Sequence, residues 1–193
     1  MRFAYADPPY PGCAHRYAGG VEVDHAVLVA HLVTFDGWAL STSSTALRDV
    51  LPLCPVGVRV MAWVKPFAAY KRNVSPAYAW EPVIVSPARK AEPGLVDQQA
   101  RDWIAESITM KKGLTGAKPP HFCEWLFFML GARPGHGDTL ADLFPGTGAV
   151  SRAWEKFSAG EKMPAREFHN RVATKGRDPL VVEVRNPLAK VQA

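Results

Sequence analysis

A carboxylate stands at the end of a short apolar run, Phe3-Ala4-Tyr5-Ala6-Asp7-Pro8-Pro9-Tyr10. The residues before Asp7 read as a buried strand, and Pro8 and Pro9 forbid further ladder pairing. Asp7 is therefore expected at a strand end, in a stiff turn. Two prolines supply carbonyls but no N–H, so the rim is rich in acceptors and poor in donors. Such a rim suits a ligand that presents an NH2 group. A second set of residues lies far downstream. Thr139-Leu140-Ala141-Asp142-Leu143-Phe144 reads as another buried strand, followed by the glycine turn Pro145-Gly146-Thr147-Gly148-Ala149-Val150 and a helix over residues 151–157. Glycines let the backbone approach a ligand closely, and the free N–H groups of a helix start favour a carboxylate or a phosphate.

The two stretches together resemble the paired signatures of S-adenosylmethionine-dependent amino-methyltransferases, which methylate adenine N6 or cytosine N4. The catalytic motif first and the cofactor motif last is the order of the permuted beta class of DNA methyltransferases. Between them, Ala62-Trp63-Val64-Lys65-Pro66, Trp80-Glu81-Pro82-Val83-Ile84-Val85 and Lys118-Pro119-Pro120 are similar to three further family segments: the W-x-K strand, the E-x-apolar strand and the K-P helix. The resemblance spans residues 3–157, and the ordered set is far more specific than any one member.

The resemblance implies that Asp7, Pro8, Pro9 and Tyr10 are catalytic. An adenine amine is a poor nucleophile because its lone pair is delocalised, so acceptors aimed at both N–H bonds are needed; the Asp7 carboxylate and the Pro8 carbonyl are the candidates. Tyr10 would stack on the base, flipped out if it comes from a duplex. The resemblance further places Asp7, Asp142, Phe144, Pro145, Gly146, Thr147 and Gly148 around the cofactor, with Lys118 helping to hold it or a phosphate. Leu143 departs from the proline often found there. Nucleotide-binding βαβ units commonly hold a ribose with an acid about 20 positions beyond the turn; Glu161 is too early to sit on a strand, and Glu183 is favoured. By the same resemblance, Asp in the first motif position implies adenine N6 in DNA, since members of the permuted class with Asp there are mostly adenine enzymes. Cytosine N4, RNA, a protein side-chain amide, free nucleotides and a binding module without turnover are the alternatives.

Around these residues the rest of the chain has to supply a scaffold. A length of 193 residues with 48% hydrophobic content suits a single α/β domain. It divides into a catalytic half at 1–85, a short variable insert at 86–117 and a cofactor half at 118–193. The insert is too short for a large target-recognition domain, which fits a small orphan enzyme of the phage type, working in the cytoplasm of the host. A homodimer would enlarge its DNA surface. The formal charge of +5 favours a polyanionic partner. Loop cations Lys71, Arg72, Lys111 and Lys112, with His15, Arg16 and Tyr17 in the glycine-rich, mobile loop after the first turn, are the expected substrate contacts. Cys13, Cys54 and Cys123 are odd in number and widely spaced, which argues for a reducing compartment. The pairs Cys13/His15 and His121/Cys123 lack a matching second pair, so no metal is expected. No apolar run is long enough to span a bilayer, and no leader-like segment opens the chain, so a soluble intracellular protein is expected.

Periodicity and turn signals predict strands at 3–6, 37–43, 58–64, 82–85, 139–144 and 179–184, and helices at 25–34, 44–53, 97–107, 120–130, 151–157 and 164–172. The expected architecture is Rossmann-like: a mostly parallel sheet with helices on both faces. Strands 58–64 and 82–85 would pair across a long loop as an antiparallel edge. Lys65 and Glu81 would form an ion pair there, and Trp63, Trp80 and Trp125 are read as core.

Overall fold

The computed structural model describes residues 1–17, 19–66, 74–89, 101–108 and 117–161. Six strands form one mixed sheet: β1 (Arg2–Ala6), β2 (Gly37–Ser41), β3 (Arg59–Val64), β4 (Trp80–Ser86), β5 (Trp103–Ala105) and β6 (Thr139–Asp142), in the spatial order β5-β3-β4-β2-β1-β6. The helices are α1 (His25–Leu32), α2 (Leu47–Val50), α3 (Pro120–Leu130) and α4 (Ala149–Ser158). β1 is parallel to both its neighbours, β2 and β6, and β3 is parallel to β5; β4 alone runs against β2 and β3.

Two apolar layers cover the sheet. On one face Phe3, Tyr5, Ala39, Trp63, Val83 and Val85 meet Phe122, Leu126, Phe127 and Leu130 of α3 and Val150, Ala153 and Phe157 of α4. On the other, Ala4, Ala6, Trp38, Leu40 and Ile84 meet Leu28, Val29 and Leu32 of α1. The split follows from the two-residue side-chain period of a strand. Local signals set the helix ends. Asp24 caps α1 by accepting from Ala26 N at 2.9 Å and Val27 N at 3.0 Å. α3 starts at Pro120, whose missing N–H would have no partner there anyway. It stops at Gly131, whose φ of +79° lets Ala132 N–H reach Phe127 C=O at 3.0 Å and Gly131 N–H reach Phe128 C=O at 2.9 Å. Beyond α3, Asp138 receives both Arg89 guanidinium nitrogens, Nη1 at 2.7 Å and Nη2 at 3.0 Å, which ties the entry of β6 to the exit of β4. That guanidinium holds the Asp138 carboxyl well below the usual carboxylate range.

Three sequence expectations are corrected. The antiparallel strand is not at an edge: β4 lies between β2 and β3, and β5 flanks β3 on the outside. Its run Val83-Ile84-Val85 is fully buried on both faces, which only an interior strand allows. Of the helix expected over 97–107, residues 97–100 lie outside the described residues, and the rest gives way to β5. There Ala62 N–H bonds Asp102 C=O at 2.9 Å and Glu106 N–H bonds Val64 C=O at 3.0 Å, so pairing with the open side of β3 overrides local helical periodicity. The helix expected over 44–53 is one short turn, α2, continued as a 3-10 turn over Leu51–Leu53. The helix and strand expected at 164–172 and 179–184 lie outside the described residues. Among the described residues, no helix is long and apolar enough to cross a membrane.

Gly37 opens β2 where there is no room for a side chain: an added Cβ would lie 2.8 Å from Ala88 N and 3.1 Å from Phe3 Cδ1. Gly37→Ala is expected to lower unfolding free energy by about 1–3 kcal/mol in urea melts, since backbone has to move to admit it.

Candidate functional site

The strand period places a polar row at one end of the sheet. Tyr5 lies on the α3 face, so Asp7, two residues on, continues that face beyond the carboxyl end of β1. Ser41 at the end of β2 and Glu81 at the start of antiparallel β4 reach the same end on the same face, as does Lys65 just past β3. The Tyr5 and Ser41 hydroxyls bond each other at 2.8 Å. Lys118, directly before α3, lies over this row.

The result is a chain of charges. Lys118 Nζ donates to Glu81 Oε1 at 2.6 Å and lies 3.1 Å from Asp7 Oδ2; Lys65 Nζ donates to the other Glu81 oxygen, Oε2, at 2.8 Å. The Lys118 side chain is 6% exposed and that of Glu81 9%, whereas Asp7 and Lys65 at the two ends are 27% and 20% exposed. Trp63 is the floor: the Lys118 and Lys65 ammoniums lie 4.9 and 4.7 Å from its ring centroid, and Phe122 flanks Lys118 at 5.6 Å. Burial alone would lower the Lys118 pKa, but the Asp7 and Glu81 carboxylates hold it above the usual lysine range. Burial likewise opposes charge on Glu81, and the two lysines overcome it, holding the carboxyl below its usual range. Asp7 goes the other way: burial, reinforced by Glu81, raises its carboxyl despite Lys118. Burial also raises the Tyr5 and Tyr10 phenols, with Asp7 and Glu81 adding to it.

The turn itself is well anchored. Pro11 and Gly12, the latter at φ +75°, form a type II turn closed by Cys13 N–H to Tyr10 C=O at 2.8 Å. The Glu22 carboxylate then accepts from Gly12 N at 3.3 Å and Ala14 N at 3.2 Å. The loop thus carries a 3-10 turn over Ala14–Arg16 and a carboxylate strap. His15, Arg16 and Tyr17 project from it into solvent. The Pro8 carbonyl and Asp7 Oδ1 accept no hydrogen bond among the described residues.

The glycine turn is the neighbour of this one. Tyr5 is opposite Asp142 in the β1–β6 ladder, and Leu143 N–H donates to Tyr5 C=O at 2.9 Å, so the two turns leave adjacent parallel strands about 5 Å apart. Gly148 N–H closes the turn on Pro145 C=O at 2.6 Å, with Gly146 and Gly148 at φ +46° and +70°. Among the described residues only Phe144 C=O, at 3.9 Å, approaches an added Cβ on Gly146, so they leave that side open. Helix α4 starts here without a side-chain cap. Asp142 Oδ2 accepts from Ser151 Oγ at 2.9 Å, while its buried Oδ1 makes no hydrogen bond of normal geometry. Burial raises this carboxyl, against the Ser151 hydroxyl and the nearby Phe144 and Ser151 amides. Phe144 is half-buried, and the Thr147 carbonyl accepts a hydrogen bond from Arg152 Nη1 at 2.9 Å.

The structure therefore brings Asp7, Pro8, Pro9, Tyr10, Lys118 and the residues from Asp142 to Gly148 to one end of the sheet. Lys118 is no solvated lysine: its ammonium is held by the Asp7 and Glu81 carboxylates. Lys71, Arg72, Lys111, Lys112 and Glu183 lie outside the described residues. The Lys65–Glu81 pair forms as expected, but its continuation through Lys118 to Asp7 was missed. The signal was available: a lysine directly before an apolar helix must sit where that helix meets the sheet. Trp63 and Trp125 are core, whereas Trp80 is 40% exposed. With Tyr78, Ser44 and Thr45, Trp80 lines a groove of about 380 Å³ beside the same sheet end. No group of three or more metal-ligating side chains occurs among the described residues.

Lys118→Met would leave two buried carboxylates facing each other, and is expected to lower stability by about 3–5 kcal/mol at neutral pH. The loss should shrink as pH falls through the range where Asp7 and Glu81 protonate, because a neutral carboxyl no longer needs the cation; urea melts of both proteins across pH check it. No protein-family model matches the chain and no curated protein matches it in sequence, so its function rests on the geometry of these residues.

Proposed function

We propose that the chain is an S-adenosylmethionine-dependent amino-methyltransferase that acts on the N6 amine of adenine in DNA, as a cytoplasmic enzyme with a Rossmann-like domain. The observation that carries this reading is the adjacency of the two turns: the acceptor-rich Asp7 turn and the open glycine turn leave neighbouring parallel strands, bridged by Leu143 N–H to Tyr5 C=O at 2.9 Å. α1 and α4 then cover opposite faces of the sheet, so the crevice between β1 and β6 is a topological switch point, where open α/β sheets bind ligands.

The residues fit such a cofactor. Gly146 leaves the backbone open to close approach, the uncapped start of α4 offers N–H groups to a carboxylate, and Asp142 Oδ1 is an unfilled acceptor. When bound, S-adenosylmethionine supplies a methyl group on a positively charged sulfur. Asp7 Oδ1 and the Pro8 carbonyl accept the two N–H bonds of the adenine amine, which favours a pyramidal nitrogen and stabilises the positive charge that develops on it. Pro8 and Pro9 fix the carbonyl direction without competing donors. Tyr10, its phenol kept neutral, stacks on the base, and His15, Arg16 and Tyr17 flank the entrance.

Nucleoside mass spectrometry of DNA from cells expressing the wild type or Asp7→Ala tests the reading. N6-methyladenine is expected with the wild type and at least about a hundredfold less with the variant, as for loss of a transition-state acceptor. Absence of the modification from cells holding soluble wild-type protein would count against it, as would purified protein that does not bind S-adenosylmethionine.

A further inference from the structure

Lys118 is shared unequally. Its hydrogen bond to Glu81 Oε1 is 2.6 Å long, and its contact with Asp7 Oδ2 is longer, at 3.1 Å. Glu81 in turn is held from its other side by Lys65 at 2.8 Å. The cation nearest Asp7 is therefore drawn toward a second carboxylate, and Asp7 keeps an oxygen that accepts no hydrogen bond among the described residues, on a side chain 27% exposed. A carboxylate fully forked by a lysine would be a poor acceptor for anything else, because its lone pairs and charge would be taken up.

We propose that Glu81, acting through Lys118, is a positioning residue: it draws the ammonium away from Asp7 and so keeps Asp7 Oδ1 open to accept a hydrogen from a ligand's NH2 group. Lys65 tunes this from the surface, since the more strongly it holds Glu81, the more of Lys118 is left for Asp7. The role of the accepted NH2 group rests on the methyltransferase reading, while the arrangement of charges does not. The groups that bear on Asp7 from the elements around it are Lys118 before α3, Glu81 on β4, Lys65 after β3, Tyr5 on β1, and Tyr10 and Tyr17 in the following loop.

The two outer residues should act on Asp7 in opposite directions. In Glu81→Gln the repelling charge is gone and Lys118 turns to Asp7, so Asp7 becomes easier to ionise. In Lys65→Gln, Glu81 claims Lys118 more fully and a distant cation is lost, so Asp7 becomes harder to ionise. The test is a carbon-13 NMR titration of the Asp7 carboxyl in the full chain, assigned with Asp7→Asn. The midpoint should fall by about one pH unit in Glu81→Gln, a tenfold change in proton affinity, and rise in Lys65→Gln. Loss of either charge by itself gives these two signs, so the deciding readout is the place of the Lys118 ammonium: a crystal structure of Glu81→Gln should show Nζ within hydrogen-bond distance of both Asp7 oxygens, and Nζ left on Oδ2 alone, or shifts of the same sign, would overturn the proposal. Lys65 is near the surface, so should Glu81→Gln fail to fold, an unmoved or lowered midpoint in Lys65→Gln alone overturns it. With active enzyme, the acid limb of the kcat/KM profile should move the same way in each variant. A wild type that transfers no methyl group would sink the methyltransferase reading and leave the titration to decide this one.

Discussion

A buried ammonium cannot stand alone in a protein interior. Lys118 is 6% exposed, and removing a charge from water is tolerated only with close opposite charges and satisfied hydrogen bonds. The positions of its neighbours follow from that requirement. Glu81 must face it from β4, Asp7 must approach from the end of β1, and Lys65 must balance the second Glu81 oxygen from the end of β3. Trp63 and Phe122 complete the enclosure, presenting the negative faces of their rings to the cation. One interaction thereby joins three strands and the start of α3. Replacing such a network with apolar side chains is often neutral or stabilising, so on the proposed reading it serves the chemistry of the site more than stability.

The crevice itself is a consequence of chain direction. β1 lies between β2 and β6 and is parallel to both, so all three deliver their following segments to the same end of the sheet. The segment after β1 runs to α1 on one face, and the segment after β6 opens α4 on the other. Prolines after β1 and glycines after β6 then shape the two walls of the crevice differently, one rigid and lacking donors, the other close-fitting and offering N–H groups. On the proposed reading that asymmetry separates the amine from the methyl donor.

The amino end of the sheet behaves differently. There the Arg89–Asp138 fork, with Arg89 Nη1 also donating to Gly131 C=O at 3.0 Å and Arg133 N–H to Asp138 at 3.0 Å, locks the turn between α3 and β6. These groups are saturated by one another. At the carboxyl end, by contrast, Asp7 Oδ1, the Pro8 carbonyl and Asp142 Oδ1 accept no hydrogen bond of normal geometry among the described residues. Polar groups closed on themselves build the fold, and those left open point to the site.

Much of this was readable from the chain because it depends on near neighbours. Asp24 as a cap, Pro120 at a helix start, Gly131 at its end, the strand before Asp7 and the turn at Gly146 and Gly148 are all set by local backbone chemistry. Pairing across the sheet is not local. The interior place of β4 and the strand at Trp103–Ala105 were decided by which hydrogen-bonding edges remained open after the larger strands had paired. The same holds for charge: residue types at 7, 65, 81 and 118 announce acids and bases. Only folding, by setting them 2.6 to 3.1 Å apart away from water, makes them one electrostatic unit.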